Sequence, residues 1–176
     1  NTFSQIGLHN IFFAKDYANE FKQIFDEKEV ADDITIYINC TSKDILTDAP
    51  NGCENWFVMV NVPSHQNQDW DAIIHRTRKN IIQILSKHLD CAIESYIACE
   101  KILDPRGIEA NTQSSGGALY GSSSNNKFAA FLRHPNFSQQ ISQLYFCGGS
   151  VHPGGGIPLC LLSVKITSDL IPAACD

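Results

Sequence analysis

The chain has no long hydrophobic run. Across its 176 residues, no apolar stretch approaches the ~20 residues that a membrane-spanning helix needs. Its opening residues, NTFSQIGLHNIFF, lack the charged-then-apolar order of an export signal. A basic excess is missing too. Thirteen Lys and Arg are scattered against nineteen Asp and Glu for a net charge of -6, with a pI of about 5.4, so there is no electrostatic footprint for nucleic acid. The histidines His9, His65, His75, His88, His134 and His152 form no HxxxH or HExxH pair. The seven cysteines, Cys40, Cys53, Cys91, Cys99, Cys147, Cys160 and Cys175, contain no CxxC. A zinc site is therefore unsupported, and reduced thiols packed as small buried hydrophobes are the simplest reading. Methionine is nearly absent. Met59 is the only one and the first residue is Asn1, so the chain is expected to be a fragment of a longer protein.

Two phosphate-binding motifs fail on single residues. GGALYGSS has the glycine spacing of a Walker loop, but Ser122 stands where the lysine must be. GGGIPL fails GxGxxG because Leu159 takes the third glycine position. The chain thus has no self-sufficient nucleotide site of either kind. No internal repeat is evident.

What is present suits one globular domain, since 43% hydrophobic residues can bury a substantial core. Leu8 to Phe13 predicts a strand. DYANEFKQIFDE, Asp16 to Glu27, predicts a helix capped by Asp16, with Tyr17, Phe21, Ile24 and Phe25 on one face packing on a sheet. ITIYINC, Ile34 to Cys40, and NWFVMVNV, Asn55 to Val62, alternate like strands and flank a loop that holds Asn51 and Gly52. Trp56 and Phe57 are expected in the core. Asn67 to Leu89 carries an amphipathic stripe through Trp70, Ile73, Ile74, Thr77, Ile81, Ile82, Leu85 and Leu89. It reads as a core-facing helix, with a membrane-surface role as the alternative. Glu94 to Leu103 predicts another strand, and Asp104 with Pro105 a helix start. Asp32, Asp33, Glu94 and Glu100 read as surface or cap groups. From Asn111 to Asn126 the composition turns small and polar, as either a linker or a ligand-lining loop interrupted by Ala118, Leu119 and Tyr120.

The stretch Leu144 to Ile171 concentrates the chemistry. LYFC predicts a buried strand, and the apolar residues from Ile157 to Ile171 recur at helical spacing. Between them lie Gly148, Gly149, Gly154, Gly155 and Gly156. Glycine lets the backbone take positive φ and approach a ligand closely. The free N–H groups of the helix start then favour an anion or an electron-rich carbonyl. A sharp strand-to-helix turn that needs glycine only for packing is the alternative.

The order CENWFVMVNVP, SGGALYG, FAAFLRHPN and LYFCGGSVHPGGGIP, closing on a terminal helix, resembles the C-terminal part of the FAD-dependent carotenoid desaturases, the bacterial-type phytoene desaturase family. The GGALYG and GGSVHPGGGIP wording is most similar to the branch acting on hydroxylated carotenoids, the hydroxyneurosporene or 1-hydroxycarotenoid 3,4-desaturases. The resemblance covers nearly the whole chain. It implies an α+β (mixed α/β) fragment of a flavin amine-oxidase-like two-domain fold. A mixed or antiparallel substrate-domain sheet flanked by helices would form one wall of an apolar channel, and a strand-turn-helix would belong to the FAD-binding domain.

By that resemblance, residues 1–110 belong to the substrate-binding domain, 111–142 return the chain to the FAD domain, and 143–176 supply its C-terminal strand-turn-helix. Gly148, Gly149, His152, Pro153, Gly154, Gly155, Gly156 and Ile157 would face FAD, with an exposed turn at Gly154 to Gly156. His152 is the candidate proton acceptor or flavin contact, against a purely structural turn histidine. Leu119, Tyr120 and Arg133 would line the substrate path, although a solvated loop is the favoured reading for Arg133 and His134. The pyrophosphate-binding fingerprint belongs to the missing N-terminal part of the enzyme, so the fragment alone is expected neither to bind FAD nor to be active. The implied partners are a carotenoid, that missing part and a membrane surface, with a cytoplasmic protein peripheral to the inner face of the membrane. A non-catalytic carotenoid- or lipid-binding or interaction module is the alternative.

Overall fold

The computed structural model describes residues 2–121 and 133–172. Cys175, Ser122 and the first five residues of FAAFLRHPN lie outside these. The chain divides into two compact units, Asn1–Ile102 and Leu103–Asp176. It is mixed α/β, with a three-stranded antiparallel sheet in the first unit and helices in both.

In the first unit the sheet order is β1 (His9–Phe12), β2 (Ile36–Asn39) and β3 (Phe57–Val60). The register places Phe12, Ile36 and Val60 in one row and Asn10, Ile38 and Val58 in the next. Strand side chains alternate between faces, and Ile36 and Ile38 are fully buried. They share a core with Val30, Ile34, Cys40, Leu85, Leu89 and Ile93. Leu85 and Leu89 come from the helix α2 (Trp70–Leu89), whose N-terminus is capped by Asp69 accepting from the Ala72 N–H at 3.1 Å. The stripe from Trp70 to Leu89 is therefore the core-facing side, while His75, Arg76 and Lys79 are exposed.

The other sheet face is open. Its rows are Ile11, Tyr37 and Met59, then His9, Asn39 and Phe57. Phe57 is 62% exposed, which corrects its expected place in the core: alternation assigns residues to two faces, but packing covers only one of them. Trp56 is half-buried against the core.

The helix α1 (Tyr17–Lys22) starts where expected, with Asp16 Oδ1 accepting from Asn19 N–H at 3.0 Å. It continues into a π turn, Gln23–Glu27. Its predicted apolar face is only partly covered: Ile24 is buried, whereas Tyr17 is exposed and forms a ring ladder with Phe21 and Phe25. The buried residue within α1 itself is Glu20, whose carboxylate accepts from Thr35 N–H at 2.9 Å and Thr35 Oγ1 at 2.6 Å.

Residues 94–103 form no strand. A 3-10 turn, Ile93–Tyr96, leads instead into extended chain. Glu94 and Glu100 both converge on the Arg78 guanidinium, at 2.9 and 2.8 Å. Asp32 pairs with Arg76 at 3.4 Å, and Asp33 accepts the Lys15 N–H at 2.8 Å. These carboxylates are the surface and cap groups anticipated. The cysteines diverge from a uniformly buried set, since Cys40 is buried while Cys53, Cys99 and Cys147 are exposed.

In the second unit, α3 (Pro105–Thr112) begins at the predicted Asp-Pro, with Asp104 Oδ1 accepting from the Gly107 N–H at 2.9 Å. Helix α4 (Ile157–Leu170) follows the glycine turn. Leu144 to Cys147 is extended chain rather than a buried strand, with Leu144 and Cys147 exposed. Among the described residues no helix is long and apolar enough to cross a membrane.

Two stability predictions follow from the first unit. Ile38→Ala empties a site at the centre of β2 and is expected to cost about 3 kcal/mol in urea denaturation. Glu54 is the second test. Burial pushes its carboxyl up, but hydrogen bonds from Lys43, the Phe3 N–H and the Trp56 indole outweigh it and hold the group below its ordinary value of 4.5. A carboxylate stabilised in the folded state contributes above its unfolded pKa and loses that contribution as pH falls through the folded one. Glu54→Gln is therefore expected to destabilise by about 2 kcal/mol at neutral pH, with the difference from wild type shrinking in denaturation curves below pH 4.5.

Candidate functional site: a glycine turn on a buried amide

The glycine turn is held by a small backbone lattice. The segment from His134 to Phe137 runs between the turn's two limbs, bridging in parallel to Val151 through His134 and antiparallel to Tyr145 through Phe137. The Phe146 N–H donates to the Asn136 carbonyl at 2.9 Å, and the His152 N–H to the His134 carbonyl at 3.0 Å. Arg133 and His134 thus make backbone and side-chain contacts with the glycine turn, while the His134 side chain stays exposed as a solvated loop would have it. The His134 ring also meets Phe146 edge-on, with centroids 5.0 Å apart.

Beneath this lattice lies α4, in an inverted orientation. Its buried residues are Ser163 and Thr167, while Ile157, Leu161, Leu162 and Val164 face outward. Most buried polar side chains find partners. Ser163 Oγ accepts from the Gly148 N–H at 3.1 Å, and Thr167 Oγ1 donates to the Phe146 carbonyl or the Ser163 carbonyl, each at 2.9 Å. Asn136 is 3% exposed. Its Nδ2 lies 3.1 Å from the Phe146 carbonyl, 2.9 Å from the His152 carbonyl and 2.9 Å from Ser163 Oγ.

The anticipated cofactor-side residues are brought together. Gly148 (φ 119), Gly154 (φ 134) and Gly156 (φ 95) take positive φ, and the His152-Pro153 peptide bond is cis. Among the described residues, a Cβ on Gly148 or Gly156 would meet nothing within 4 Å. On Gly154 it would press on Arg133 Nε at 3.1 Å, and on Gly155 it would overlap the Tyr120 ring. Tyr120 and Arg133 are thus drawn to the turn, with Arg133 Nη1 donating to the Tyr120 carbonyl at 2.7 Å and the Gly149 carbonyl at 3.3 Å. Leu119 is exposed.

Gly156 alone of the three consecutive glycines is exposed, because Arg133 and Tyr120 cover the other two. Among the described residues it caps α4 without a side-chain acceptor, so no side chain there serves the first N–H groups of the helix. The imidazole of His152 is exposed at this turn, while its backbone is held on both sides. Asn136, Ser163 and Thr167 were not singled out by sequence. One signal for them exists: Ser163 and Thr167 stand four apart, on one face of a helix rich in leucine and isoleucine.

The fold and turn define an α/β segment whose glycine-lined helix N-terminus can receive an anion or a ring carbonyl. Comparison with known proteins makes the assignment narrower. Over 171 residues the chain is 56% identical to the 1-hydroxycarotenoid 3,4-desaturase of Flavobacterium sp. (strain P99-3), a match spanning 97% of this chain and 35% of that protein. It is also 37% and 36% identical to the 4,4'-diaponeurosporene oxygenases of Staphylococcus aureus strains MSSA476 and USA300, with the same coverage. No family model matches the chain. The chain matches a fragment of a carotenoid desaturase, and it spans about a third of the length of the curated relatives it matches.

The contact between Tyr120 and Gly155 is testable by a double-mutant cycle. Gly155→Ala is expected to cost about 2 kcal/mol by displacing the ring. In a Tyr120→Ala background the same substitution is expected to cost markedly less, as read from urea midpoints.

Proposed function

We propose that this chain is the C-terminal part of an FAD-dependent carotenoid desaturase that introduces C=C bonds into a hydroxylated carotenoid. The observation that carries the reading is the 56% identity to a 1-hydroxycarotenoid 3,4-desaturase along 97% of the chain. The backbone fits a flavin, because space stands open against Gly148 and Gly156 and the N-terminus of α4 has no side-chain cap.

Gly148, Gly149, His152, Pro153, Gly154, Gly155, Gly156 and Ile157 would hold FAD, with the first-turn N–H groups turned toward its electron-rich atoms. When bound, the oxidised flavin is a hydride acceptor. His152, exposed at the turn, is the candidate to take up a proton or to touch the flavin. Tyr120, with Arg133 tying its carbonyl to the turn, and the exposed Leu119 would guide the polyene. In the first unit, Ile11, Phe57 and Met59 on the open sheet face offer an apolar wall of the kind such a substrate needs.

The pyrophosphate of FAD would be held by the N-terminal part of the complete enzyme, which carries the fingerprint absent here. The substrate dissolves in bilayers, so the enzyme would work from the cytoplasm as a peripheral protein at the inner face of the membrane.

The test is expression of the complete protein. It is expected to purify yellow, with about one FAD per chain, and to desaturate a 1-hydroxycarotenoid, while residues 1–176 alone bind no FAD and do not turn over. A complete protein that binds carotenoid but releases no flavin on denaturation after incubation with FAD would sink the enzyme reading in favour of a non-catalytic binding module.

A further inference from the structure

Asn136 occupies a position that the proposed chemistry leaves unexplained. Its amide is buried in the middle of the second unit's lattice, at the base of the glycine turn rather than on its surface. Two of its neighbours are the carbonyls of Phe146 and His152, at 3.1 and 2.9 Å. A carbonyl only accepts, so the atom facing both must be the NH2 group, whose two hydrogens are shared among the two carbonyls and Ser163 Oγ. Phe146 lies just before the turn and His152 within it. One planar side chain therefore fixes the span between them, five residues of which two are glycines.

The same hub reaches the turn from below. Ser163 Oγ, 2.9 Å from the Asn136 amide, accepts the Gly148 N–H at the first positive-φ residue. Thr167 closes the ring on the Phe146 carbonyl. Asn136, Ser163 and Thr167 are themselves buried, and a buried polar atom that loses its partner is left unsatisfied.

We propose that Asn136 is a positioning residue: with Ser163 it sets the path of the turn from Gly148 through Gly156, and thereby the alignment of the cofactor-facing backbone, without touching the cofactor. The inference rests on the flavin reading above. An aspartate has no hydrogen to offer the two carbonyls, and an alanine takes the amide donor from both, leaving the Phe146 carbonyl with Thr167 Oγ1 alone.

The test uses the complete protein, with FAD titrated into cofactor-free wild type, Asn136→Ala, Ser163→Ala and a remote destabilising control, Leu85→Ala. Asn136→Ala and Ser163→Ala are expected to weaken FAD binding by about tenfold or more and to shift the visible flavin band. Leu85→Ala lowers the melting temperature but leaves both readouts as in wild type. Should Asn136→Ala fail to fold, Ser163→Ala, which removes one hydroxyl, carries the test alone. Wild type that takes up no FAD defeats the flavin reading and this inference together. Wild type that binds FAD beside folded variants with unchanged affinity and spectrum overturns the inference alone.

Discussion

A buried polar group must be given a partner, and the described structure turns on how few side chains do this. In the second unit the duty falls on the Asn136 amide, which serves carbonyls on either side of the glycine turn while Ser163 serves an N–H within it. In the first unit Glu20 takes the Thr35 N–H and hydroxyl, and Glu54 gathers Lys43, the Phe3 N–H and the Trp56 indole. Each of these groups joins stretches of chain that regular hydrogen-bond ladders do not connect. Without them, irregular segments would carry unpaired backbone at a cost of about 1–3 kcal/mol per group.

That constraint explains the inverted character of α4. An ordinary surface helix buries its apolar stripe, but here Ser163 and Thr167 face inward because the lattice offers carbonyl and amide partners. Its leucines and isoleucines consequently face out. The sheet in the first unit has a comparable open face, where Ile11, Phe57 and Met59 remain exposed. Contiguous apolar surface of this kind marks contact sites rather than solvated exterior. One such face lies on the sheet of the first unit, and the other directly after the glycine turn.

Much of the fold was legible because its signals are local. Asp16 and Asp104 announced their helices through cap chemistry, and the repeat from Trp70 to Leu89 announced α2. The alternation in ITIYINC and NWFVMVNV gave two of the three strands. Residues 94–103 misled because their loose alternation is also compatible with a chain folded around one arginine, and Arg78 is distant in sequence. The glycine turn, with the helix after it, was legible from composition. Its neighbours Tyr120 and Arg133 were suggested by resemblance, and their convergence on Gly154 and Gly155 required the coordinates.

The sequence by itself determined that a glycine-dense turn feeds an apolar helix, that no complete nucleotide motif accompanies it, and that the chain resembles carotenoid desaturases. These are properties of neighbouring residues, which spacing and side-chain chemistry encode directly. Only the tertiary structure decided which sheet face stays open, which way α4 turns and what holds the glycine turn in place. Those outcomes depend on partners 10 to 31 positions apart, such as Asn136 with Phe146 and Thr167. The identity of an asparagine does not reveal which buried carbonyls it will meet.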